Sequence, residues 1–113
     1  MVARRMMGNL ANEVEEWLGL DGEVSLELPG RWFGRPMDNH HRLTWAASGP
    51  FRSVLEFDGQ LSLLLCGPQA LEIDGSVASI SAERIVFDWK QFGAAGHYQT
   101  EAFEDGVVRL HLH

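Results

Sequence analysis

The amino-acid sequence predicts a mainly β protein (α+β), in which one N-terminal amphipathic helix precedes an antiparallel β-meander of about nine short strands, curled or barrel-like. Three observations predict it. The apolar period changes from 3.6 to 2 near residue 21. Asp-Gly pairs stand at residues 58–59, 74–75 and 105–106 between alternating segments, and Asp-Gly is a strong hairpin signal because both residues tolerate positive φ. No helical pattern of useful length separates the later strands, which excludes a parallel βαβ sheet.

The helix is expected over about residues 4–18. Met7, Leu10, Ala11, Val14, Trp17 and Leu18 recur at steps of three and four and so form one stripe, with Asn9, Asn12, Glu13, Glu15 and Glu16 on the other face. Trp17 on the stripe reads as a core anchor. Gly19 suits the left-handed position that ends a helix.

From about residue 22 to 113 the chain reads as the meander. Val24, Leu26 and Leu28 alternate with Ser25 and Glu27 until Pro29-Gly30 stops the run. Arg42–Ala47 alternates around Leu43 and Trp45, which puts those two on one face. Arg84–Phe92 is the longest strand candidate, ended by the Gly/Ala loop at residues 93–96. Nine short strands in a flat sheet would leave two exposed edges, so curling or closure is expected, with the helix covering one face or plugging one end. For the last hairpin, a loop at Asp105-Gly106 with Gly106 as a left-handed bulge residue turns Tyr98, Thr100 and Ala102 inward beside Val108, Leu110 and Leu112. That register sets Glu101 opposite Arg109, Gln99 opposite His111, and His97 opposite His113.

At 113 residues, 45% hydrophobic and 22% charged, the chain is expected to be a single domain spanning residues 1–113, large enough to fold without disulfides or a structural metal. Nine Lys+Arg against sixteen Asp+Glu leave a net charge of −7, and the arginines are scattered along the chain. A nucleic-acid or anionic-membrane binder would need a basic face, so neither partner is expected. The single Cys66 lies in an apolar run with no basic neighbours and reads as structural. No apolar run reaches the length of a secretory core or a membrane span, and with the lone cysteine this reads as cytoplasmic.

Residues 30–41 form the longest stretch that follows neither period. Arg31 and Arg35 offer planar donors suited to carboxylates or phosphates, Trp32 and Phe33 offer large apolar faces, and Asp38, His40 and His41 offer acid–base or ligand chemistry. With Trp45 these are the candidate ligand- or partner-binding residues. Packing alone gives a competing account, in which Trp32 and Phe33 close the barrel mouth and the arginines pair with acids. His97, His111 and His113 could share one outer strand face, but they read as ordinary surface residues rather than as a metal site. No nucleophile, phosphate-loop, dinucleotide or zinc signature is present, so neither catalytic residues nor a cofactor are assigned. The expected function is a non-catalytic binding or protein-interaction domain. The alternatives are a small-molecule-binding barrel with its mouth at residues 30–41 and, behind it, a hydrolase or metal enzyme using Asp38, His40 and His41.

Overall fold

The computed structural model describes residues 2–6, 9–19, 22–33, 38–90 and 98–113. They form nine strands and one helix, in the order β1 (Val2–Met6), α1 (Leu10–Leu18), β2 (Glu23–Leu28), β3 (Arg31–Trp32), β4 (His41–Ser48), β5 (Arg52–Phe57), β6 (Leu61–Cys66), β7 (Ala70–Asp74), β8 (Val77–Lys90) and β9 (Tyr98–Leu112). Every strand pairing is antiparallel.

The pairings run around a ring-like sheet. β8 pairs with β6, β6 with β5, β5 with β4, β4 with β2, β2 with β9, and β9 returns to β8. The joint between β2 and β4 is thin, with only Glu23 opposite Arg42 and Val24 opposite His41. β7 and β1 extend the sheet beside the first half of β8. Leu26, Leu55, Phe57, Leu63, Leu65, Ile85, Phe87 and Leu110 are fully buried inside the ring, so its interior is packed side chain. On β6 the alternation turns Leu61, Leu63 and Leu65 inward and leaves Cys66 half-buried on the outer face, not in the core.

α1 presents Leu10, Ala11, Val14 and Leu18 to this core, the stripe that the 3.6 period marks. It starts at Leu10 rather than near residue 4, because Val2–Met6 is a strand. β7 has a free edge there, and β1 covers it from Val2 opposite Asp74 to Met6 opposite Ala70. Only Met7 among the first nine residues belonged to the stripe, so the helical pattern had little hold on them.

Two Asp-Gly pairs are turns: Asp58-Gly59 has φ of 56° and 65°, and Gly75 after Asp74 has φ of 60°. The third is not. β9 runs unbroken through Asp105-Gly106 and pairs with β8 from Val77–His111 to Lys90–Tyr98. The expected last hairpin is therefore wrong: Glu101 lies opposite Phe87 and Arg109 opposite Ser79. Thr100 and Ala102 are exposed, while Glu101 and Phe103 take the half-buried side. The positive φ of Asp105, 51°, serves a different purpose. At this level both strands exchange their inner and outer faces, from Ile85 to Ala82 on β8 and from Phe103 to Val108 on β9, with Arg84 and Glu104 ion-paired outside at 2.6 Å. A Cβ on Gly106 would stand 2.8 Å from Cγ of Pro29, so glycine is required there by a close approach across the ring.

Candidate functional site

The segment after β2 is built to close one end of the ring. Pro29-Gly30 makes the turn into β3, with Gly30 at φ 84° where only glycine is relaxed. Arg31 and Trp32 are both exposed in this two-residue strand, and a bend turns Phe33 in. Phe33 donates its N–H to the Leu26 carbonyl at 3.0 Å and sets its ring edge-on to Phe87 and Trp89, centroids 4.8 and 5.5 Å away. Arg31 pairs with Glu101 of β9. Trp32 lies against the His111 ring at 4.5 Å, and His111 in turn places Nε2 2.8 Å from a Glu27 carboxylate oxygen. Arg35 falls outside the described residues, as does His97. Asp38 is exposed in a turn.

Asn39, a residue type common in turns, is the anchor of this segment. It is 2% exposed. Its side chain accepts the Leu26 N–H at 2.8 Å and donates to the Leu26 carbonyl at 3.0 Å, and its own carbonyl accepts the Ser25 hydroxyl at 2.6 Å. Asn39 thus stands in for the neighbouring strand that β2 lacks at this level.

His40 and His41 point to opposite sides. His40 is exposed, stacked on His113 at 4.2 Å, with Nδ1 3.7 Å from a Glu23 oxygen. His41 is 7% exposed and holds Nδ1 2.7 Å from Oδ2 of Asp58, whose other oxygen accepts the Arg42 N–H at 3.0 Å. Its Nε2 is buried without a partner. A carboxylate-oriented imidazole with a bare Nε2 is the arrangement a general base needs. The ring beside it is Phe33, 5.7 Å away, and its strand neighbours are Val24 and Arg42, so no hydroxyl or thiol nucleophile stands among these neighbours. The pair serves as a clamp that ties the β5–β6 turn to the start of β4. Among the described residues no three His, Cys, Asp or Glu side chains group so as to hold a metal ion.

Trp45 belongs to a different place. Between Leu43 and Trp45 the register of β4 against β5 shifts, a β-bulge centred on Thr44. The bulge leaves Thr44 and Trp45 both outside, so Leu43 and Trp45 do not share a face as simple alternation implied. Trp45, 53% exposed, stands beside an open groove of about 650 Å³ between α1 and β4. One wall is the end of α1, with Glu15, Glu16, Leu18 and Gly19; the other is Arg42, Leu43, Thr44, Trp45 and Ala46.

Several local contacts set the groove. The Asn9 side chain makes no cap, and Ser48 of β4 accepts the Ala11 N–H at 2.7 Å instead. Ser48 continues to the Ser53 hydroxyl at 3.1 Å, and Ser53 donates to the buried Gln69 amide oxygen at 2.7 Å. On the other flank Trp17 donates its indole N–H to the Gly75 carbonyl at 3.2 Å. Gly19 ends the helix at φ 73°, and a Cβ on Gly22 would stand 2.3 Å from the Leu18 carbonyl oxygen, so the return to β2 is too tight for a side chain. No histidine or cysteine lines the groove, and the Thr44 hydroxyl is occupied, donating to the Glu56 carbonyl and accepting the Gly59 N–H.

The candidate residues thus divide between two places: Arg31, Trp32, Phe33, His40 and His41 gather at the β2–β3 end, and Trp45 lines the groove. The groove's helix wall, Glu15, Glu16 and Leu18, was visible in the sequence only as part of an amphipathic helix. Phe51, the most exposed large apolar side chain among the described residues, carried no signal in the sequence and sits in the β4–β5 turn. Comparison of the chain with models of known protein families, with curated proteins and with solved structures finds no match. No helix among the described residues is long and apolar enough to cross a membrane.

Proposed function

We propose that this chain is a non-catalytic protein-interaction domain that takes a segment of its partner into the groove between α1 and β4. The observation that carries the proposal is the groove itself: an apolar floor of Leu18, Leu43 and Ala46, an indole left half-exposed at its lip, and two carboxylates on its helix wall. Aromatic side chains at the rim of a concave apolar site are the usual anchors of protein recognition. The alternative of a barrel that holds a small molecule finds less support. The ring interior is filled by leucine and phenylalanine side chains, and Phe33 packs onto Phe87 and Trp89 where a mouth would open.

The test is selection of peptides from a displayed random library on the immobilised full chain and, in parallel, on its Trp45→Ala variant. Enrichment of a shared sequence pattern by the native chain, lost in the variant, supports the proposal. Failure to enrich any pattern, or equal enrichment by both proteins, overturns it.

A further inference from the structure

We infer that the groove binds its partner by strand addition, an extended basic segment pairing with the edge of β4 beyond Arg42; this rests on the groove being a binding site. The first ground is backbone accounting. β2 pairs with β4 only through Arg42 and His41, so among the described residues no strand covers residues 43–48 on the side away from β5. In an antiparallel ladder alternate residues direct their N–H and C=O to opposite sides. The Gly49 N–H bonds the Arg52 carbonyl, so counting back along β4 turns Ala46 away from β5. The Asp58 N–H bonds the Arg42 carbonyl, so the next residue, Leu43, also turns away. Leu43 and Ala46 both line the groove. Their main-chain groups form a short template for an incoming strand, of the kind that sheet edges present to peptides.

The second ground is charge. Glu15 and Glu16 are exposed on the helix wall, and neither is in an ion pair among the described residues. The single cation in the lining, Arg42, is paired with Glu23 at 3.5 Å. The groove is therefore net acidic in a chain of net charge −7. The exposed face of Trp45 adds a place for a lysine or arginine to stack. An extended chain alternates its side chains, so every second residue can be basic and face Glu15, Glu16 and Trp45 while main-chain bonds form along β4.

The probe is a capped octapeptide alternating arginine with valine, titrated into the full-length, isotope-labelled chain and followed by amide chemical shifts. Binding should move the amides of Leu43 and Ala46 and weaken as salt is added. Two N-methylated versions separate the mode from the site. Methylation of one alternate set of peptide amides should cost about tenfold or more in affinity, and methylation of the other set little, because only one set faces the edge. A Glu15→Lys/Glu16→Lys variant should lose about three- to tenfold for the probe, and an acidic octapeptide of the same design should bind the native chain more weakly than the basic one. Shifts at the groove with both N-methylated peptides equally tolerated would overturn strand addition while leaving the groove a binding site. Equal binding of acidic and basic peptides would overturn the partner's charge. No shifts in Leu43 or Ala46 at any probe concentration would overturn the inference outright, and the library selection on the native chain then decides separately whether the groove binds at all.

Discussion

Trp32 and Trp45 are equally exposed, at 50% and 53%, yet their surroundings differ in kind. Trp32 lies on the His111 ring, beside the Arg31–Glu101 and His111–Glu27 pairs, on a segment whose main chain is held by Asn39. Its polar neighbours are partnered within the chain. Trp45 follows a bulge on a strand whose far edge beyond Arg42 is covered by no strand among the described residues, and two carboxylates line the groove opposite it. Exposure alone therefore does not separate an aromatic that belongs to a closed part of the fold from one left beside an open groove. The partners already supplied by the same chain do.

This contrast predicts large stability effects at the β2–β3 end and small ones at the groove. Asn39→Ala should be the most damaging, by about 2–4 kcal/mol in a denaturant titration, because it leaves the buried Leu26 N–H without a partner and the Leu26 carbonyl with the Phe33 N–H alone. If Asn39→Ala is as stable as the native chain, the β2–β3 end is not the anchored region described above. Phe33→Ala should cost about 1–3 kcal/mol, less than a fully enclosed phenylalanine because one side of the ring is not covered. Arg31→Ala should cost only about 0.2–1 kcal/mol, the usual worth of a solvent-facing pair, and the loss should shrink in high salt. Trp45→Ala should lie within about 0.5 kcal/mol of the native chain by the same titration, while abolishing peptide enrichment. A Trp45→Ala loss comparable to that of Phe33→Ala would erase the contrast, since it would make Trp45 a packing residue too.

Much of the fold was legible because the relevant physics is local. The α1 stripe, the left-handed Gly19, the turns at Asp58-Gly59 and Asp74-Gly75, and the inward alternation of β2 depend on neighbours within a few residues. The candidate site was legible in part. Unusual composition drew attention to residues 30–41, and there the structure places a closure built on Asn39 and Phe33 rather than a cavity lined by Arg31 and His40. The groove could not be seen, because its walls come from α1 and β4, joined in space by the Ala11–Ser48 contact across 37 positions.

What the sequence determined by itself was the class of structure: where the period changes, which faces are apolar, and where the backbone tolerates positive φ. Only the tertiary structure decided how those local freedoms were used. Asp105-Gly106 has the same turn chemistry as Asp58-Gly59, but β8 offers β9 a partner along its whole length and Pro29 fills the space beside Gly106, so the positive φ exchanges the faces of a strand instead of reversing the chain. Val2–Met6 became a strand because β7 presented an open edge, and Trp45 faced outward because a bulge shifted its register. Pairing energy is collected from residues far apart in the chain, and a local pattern cannot report which distant edge will claim it.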